Sequence, residues 1–99
     1  MDAQKEWMWR ERFKEVAGDI KKYESEVPFL EDLDNKHQFI VDRWKPILNY
    51  RMIWINYGIG CARNDFISRK YLAPFQNLNL RLEQLYQRLG IEIPEVLRA

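Results

Sequence analysis

At 99 residues the chain has room for one core, so residues 1–99 are expected to form a single domain. With 46% apolar and 14% aromatic residues there is ample material to bury, which argues against a disordered chain. The net charge of +1 carries no partner preference by itself, and no stretch approaches the ~20 apolar residues of a membrane-spanning helix.

The first predicted element is a helix over about residues 3–26. Its apolar series, Trp9, Phe13, Val16, Ile20, Tyr23 and Val27, steps by threes and fours, which puts every member on one helical stripe. A strand would place neighbours of such a series on opposite faces. Lys5, Glu6, Glu11, Arg12, Lys14, Glu15, Lys21 and Lys22 supply the solvated side. Gly18 lies inside and costs up to ~1 kcal/mol relative to alanine.

Pro28 is expected to end this helix and open the next, with Glu31, Asp32 and Asp34 complementing the dipole of the new N-terminus. The second helix is predicted over about 29–57, on the series Leu30, Leu33, His37, Ile40, Trp44, Ile47. Pro46 lies inside it and predicts a kink. Asn49 to Tyr57 is rich in β-branched and aromatic residues and has strand propensity, but no other segment offers a partner strand. Gly58-Ile59-Gly60 is the predicted stop.

The third helix is predicted from about 62 to 89, capped by Asn64 or Asp65 and closed by Gly90. Phe75, Leu78, Leu82, Leu85 and Leu89 form its stripe, and Pro74 predicts a second kink. The fold class is therefore all-α: an up-down-up bundle of three long helices, which the two prolines can divide into four or five shorter ones. Its predicted core is Phe13, Val16, Ile20, Leu33, Ile40, Trp44, Leu78, Leu82 and Leu85. Counting from a turn at residue 60 puts Pro46 and Pro74 at the same level, with the tip, about 52–70, reaching past the first helix.

Charge is divided along the chain. Residues 1–42 carry eleven acids and seven bases, whereas 43–99 carry nine bases and four acids. Within 43–81 the only acid is Asp65. Trp54, Tyr57, Phe66 and Tyr71 stand among Arg51, Arg63, Arg69 and Lys70 at the tip. Bases interleaved with aromatics can meet phosphates and stack on nucleobases, and a turn followed by a basic helix has the outline of a helix-turn-helix reader. The competing reading lays these bases against the acidic first half, within one chain or across a dimer.

Chemistry-bearing residues are sparse. His37 is the only histidine and falls on an apolar stripe, as a core or boundary residue does. Cys61 is the only cysteine, so neither an intrachain disulfide nor a cysteine-based metal site can form, and a reducing compartment is favoured. Placed after a glycine turn, Cys61 is expected near a helix N-terminus, where a thiol gains reactivity. A nucleophile also needs a base, and His37 is expected far away. The glycine pair lacks the rest of a dinucleotide fingerprint.

The expectation is a cytoplasmic protein without catalytic residues, metal or cofactor, and not an enzyme. The preferred reading is a non-catalytic adaptor or small regulator that binds another protein or itself, in the manner of a coiled coil, and no membrane. Trp7, Trp54 and Tyr57 are its candidate contact residues. Trp7 and Met8 fall off the stripe of Trp9 and either widen the core or stay exposed as an anchor. The alternative is a nucleic-acid-binding helical module using Arg51, Arg63, Arg69 and Lys70 around residues 51–70.

Overall fold

The computed structural model describes residues 3–31 and 36–97, with the side chains of Glu31, Lys36, His37, Ile40 and Val41 outside that description. Four α-helices follow in order: α1 (Ala3–Glu31), α2 (Lys36–Phe39), α3 (Lys45–Arg63) and α4 (Leu72–Leu89). A π-helical turn, Ile40–Trp44, joins α2 to α3. Short 3₁₀ turns at Arg69–Tyr71 and Glu95–Leu97 precede and follow α4. The described residues hold no strand, so residues 49–57 are helical despite their β-branched content. Helices α1, α3 and α4 run up, down and up in a rod of 50 × 24 × 19 Å.

The first and third apolar series form the core as read. Trp9, Val16, Ile20 and Val27 are buried, with Phe13 and Tyr23 packed against them. Phe75, Leu78, Leu82, Leu85 and Leu89 are all buried. In the second series Leu30 and Trp44 are buried, while Leu33 and the side chains of His37 and Ile40 lie outside the described residues. Ile47 is 43% exposed, contrary to its expected place on the stripe. Trp44 ends the π turn, and the buried stripe runs on from it through Leu48, Met52, Ile55 and Ile59, one position later than Ile47.

Of Pro28, Pro46 and Pro74, two depart from expectation, each for its own reason. Pro28 does not end the first helix, because α1 continues through it to Glu31. An interior proline costs about 3 kcal/mol. Continuing the helix keeps Val27 and Leu30 on its buried stripe, and burial of two such side chains returns about 1.5–3 kcal/mol each. Pro46 does sit at an interruption, in the first turn of α3 just after the π turn. Pro74 interrupts nothing: it lies in the first turn of α4, where its missing N–H has no intrahelical acceptor to lose.

The turn between the long rods is not at the glycine pair. Gly58 and Gly60 lie inside α3. A Cβ on Gly58 would stand 2.8–3.0 Å from the Phe75 ring, so this glycine serves a close helix–helix approach. The helix stops instead at Asn64, which caps the end of α3 rather than the start of the next helix. The Asn64 side-chain amide donates to the Gly60 carbonyl at 2.8 Å. Asp65 takes the left-handed conformation at φ 61°, and the Phe66 N–H donates back to the Cys61 carbonyl at 2.9 Å. These bonds compose a Schellman ending with aspartate where glycine is usual. Ser68 then caps the 3₁₀ turn, its hydroxyl accepting from the Lys70 N–H.

Moving the turn by about six residues moves every level of the hairpin. Tyr86 meets Asn49 and Phe75 meets Gly58, so Pro46 and Pro74 lie toward opposite ends of the α3–α4 pair. The tip is not free of the first helix either. Trp9 packs on Trp54, Tyr57 and Phe75, and Lys5 lies over the Phe66 ring. Gly90, at φ 69°, closes α4 as expected. Beyond it Ile91, Ile93 and Leu97 pack back on the core, and the Asn56 amide donates to the Leu97 carbonyl at 2.8 Å.

One buried hydrogen bond has a pH consequence. The fully buried Tyr86 donates its hydroxyl to the Asn49 side-chain oxygen, and burial pushes its pKa well above the ordinary tyrosine value. The folded state therefore holds this proton more tightly than the unfolded state does. That stability is complete below pH ~10 and declines as pH rises above it. Tyr86→Phe is expected to cost about 1–3 kcal/mol at pH 7, by orphaning the Asn49 oxygen. It should also flatten the loss of stability above pH 10, measured by urea unfolding at stepped pH.

Candidate surface for a binding partner

The outward side of α3 is apolar in its own right. Ile47, Tyr50, Ile53 and Tyr57 are 43, 52, 51 and 61% exposed, and Trp54 is half-buried among them. Their spacing puts them on one stripe of the helix, turned away from the stripe of Leu48, Met52, Ile55 and Ile59. Between Lys45 and Arg63 the only charged residue is Arg51, and it is turned to α1.

Trp54 anchors this stripe to the core. Its ring lies edge-on to Trp9 at 6.2 Å, to Tyr57 at 6.3 Å and to Tyr50 at 6.5 Å. The Arg12 guanidinium covers it at 4.9 Å from the ring centroid. Such contacts hold large side chains in place at low entropic cost. At the tip the stripe opens into a cleft of about 460 Å³ between the start of α1 and the end of α3. Met8, Trp9, Tyr57 and Phe66 supply its apolar lining, with Lys5 and Asn64 on the rim. Trp7 is 56% exposed and Met8 40%, so neither widens the core. Met8 borders both this cleft and a shallower one beside Trp7, joining that tryptophan to the same surface.

The predicted basic residues fall into two groups. Arg51 is turned inward, 2.6 Å from Asp19 and 3.6 Å from Glu15. Burial opposes its charge, but a hydrogen bond with Tyr23 and the fields of Asp19 and Glu15 outweigh that and raise its pKa. Arg81 is likewise committed to Glu24 of α1, and this hydrogen bond raises its pKa against the opposing effect of burial. Lys70 lies 3.4 Å from Glu6, and Arg69 pairs with Asp65 at 3.0 Å, both near the surface. Arg63 is exposed in the last turn of α3. Part of the charge division along the sequence is thus spent inside the fold, where Arg51, Lys70 and Arg81 meet acids of α1.

Cys61 is not at a helix N-terminus. It is buried in the last turns of α3, because the helix runs on past the glycines. His37 belongs to α2, before the opposite end of α3, so the backbone keeps the two well apart. Among the described residues no group of three or more His, Cys, Asp or Glu is placed to hold a metal ion, and no helix is long and apolar enough to cross a membrane. The exposure of Ile47, Tyr50 and Ile53 was not anticipated from sequence. The available signal was the scarcity of charge between Lys45 and Arg63, where only Arg51 is charged. Comparison with protein-family models, curated proteins and solved structures found no significant match to this chain.

Proposed function

We propose that this chain is a non-catalytic protein-interaction module, an adaptor or small regulator, whose contact surface is the outer face of α3 with the adjoining start of α1. The observation that carries this reading is the charge-free apolar stripe of Ile47, Tyr50, Ile53 and Tyr57. Interface cores are depleted in charge and enriched in tyrosine, tryptophan and methionine. Trp54, Tyr57, Trp7 and Met8 supply those types in one connected region. A photoreactive phenylalanine placed at Ile53 or Tyr57 in cells is expected to give discrete protein adducts that an added Tyr50→Glu abolishes. The same probe at Gln84, exposed on α4, should give none. Equal adducts at all three positions would count against the reading.

A second reading, nucleic-acid binding, rests on Arg63, Arg69 and Lys70 standing exposed together at the tip. Against it, Arg51 is engaged with α1, and Arg69 and Lys70 each have an acidic neighbour. The two readings differ in salt response. Phosphate contacts release counterions, so affinity for mixed DNA or RNA would fall by roughly 10³-fold or more between 50 and 200 mM salt for six or more contacts. We expect no such binding at 50 mM salt. Micromolar, salt-steep binding that an Arg63/Arg69/Lys70 triple alanine variant loses would replace the first reading with the second.

A further inference from the structure

Building on the interaction reading, we infer that the partner of the α3 face is a second copy of this chain, packed with its own α3 antiparallel about a two-fold axis at the level of Met52. Two observations lead to this arrangement. The first is the pattern of the stripe. In an isologous antiparallel contact, a residue a given number of positions before the axis meets the one the same number after it. Ile47 and Tyr57 stand five positions either side of Met52, and Tyr50 and Trp54 stand two positions either side. In this register Ile47 meets Tyr57 and Tyr50 meets Trp54, while Ile53 comes to the level of Arg51, whose guanidinium is drawn away to Asp19 of α1. A charge near the axis would meet its own copy, and none stands there on the outward side, since Arg51 is spent on Asp19.

The second observation is area. The stripe runs on into the cleft lined by Met8, Tyr57 and Phe66. With about 150–250 Å² for each aromatic side chain, the exposed parts of the stripe, Met8 and Phe66 amount to roughly 600 Å². Specific interfaces bury about 600–1,000 Å² from each partner. One helix face and its adjoining cleft therefore reach the lower end of the area that a specific dimer buries.

The test uses the full chain. Sedimentation equilibrium is expected to give about twice 12.1 kDa at tens of micromolar. Tyr50→Glu with Ile53→Glu should raise the dissociation constant at least about 30-fold, the scale of a lost hot spot, with helical circular dichroism retained. Register is read by disulfide trapping in a Cys61→Ala background. Ile47→Cys mixed with Tyr57→Cys should form the mixed disulfide dimer, and neither variant should link to itself. A mass of 12.1 kDa throughout, a dimer that survives the double glutamate variant, or self-linking of Tyr57→Cys would each overturn the proposal. A monomer whose Tyr57 probe still links to a different protein would end the dimer and leave the interaction reading standing. No adduct of any mass at Ile53 or Tyr57 would end both.

Discussion

Replacing Phe75 or Trp9 by alanine is expected to remove about 3–5 kcal/mol of stability, the largest effect of any single truncation in this chain. Both side chains are 1% exposed, and they meet edge-to-face with ring centroids 6.0 Å apart. Phe75 also meets Phe13 of α1 edge-on at 5.2 Å and brings the tip of its ring up to α3 at Gly58. Trp9 in turn meets Trp54 and Tyr57 of α3. The pair is thus where all three long helices touch. Edge-to-face contacts add about 0.5–1.5 kcal/mol each to the burial of the rings. A domain of this size has about 5–15 kcal/mol in total, so either truncation consumes a large share. Urea unfolding at neutral pH is the measurement. A loss under 1 kcal/mol would mean that the three helices are held together elsewhere.

Gly58→Val is expected to cost about 3 kcal/mol, the upper end of the range for overpacking a filled core. Its new side chain would enter the space of the Phe75 ring, which cannot retreat because Trp9, Phe13 and Tyr71 surround it. Gly58→Ala should cost less, since the clash is smaller and alanine recovers up to ~1 kcal/mol of helix propensity. Gly18 provides the opposite case in the same fold. A Cβ there meets nothing within 4 Å, so Gly18→Ala should stabilise by up to ~1 kcal/mol. In thermal melts the two glycine substitutions should shift the midpoint in opposite directions. Phe75→Leu should relieve part of the Gly58→Ala penalty, because a smaller side chain leaves room for the added methyl. Additive losses in the double variant would refute the contact as the reason for this glycine.

The candidate surface depends on the same geometry. Because α1 reaches the tip, Met8 and Trp9 stand beside Tyr57 and Phe66 and make a cleft. A tip projecting beyond α1, as counting from residue 60 suggested, would have had no such cleft. Trp54 and Tyr57 were recognisable as spare aromatics once the buried stripe was laid out. Ile47 and Ile53 were not, since isoleucine at a helical spacing reads as core until the helix phase is known. The bases at the tip were legible as a cluster, but their acidic neighbours on α1 are distant in sequence and come close only through the bundle.

The helical class and the two end stripes follow from sequence alone. Trp9 to Val27 and Phe75 to Leu89 repeat a local period, and a helix needs only local information to decide which side is apolar. Gly90 likewise closes α4 because a left-handed cap is a local event. Tertiary structure decided the rest. Whether Pro28 breaks a helix depended on what Val27 and Leu30 bury against. Gly58 could be a turn or a point of contact, and the Phe75 ring from another helix selected contact. Of the two apolar sides of α3, packing against α1 and α4 took the one with Leu48, Met52, Ile55 and Ile59 and left Ile47, Tyr50, Ile53 and Tyr57 at the surface. Each of these choices is a competition between a local cost of a few kcal/mol and a nonlocal packing gain of similar size, and only the assembled bundle contains the second quantity.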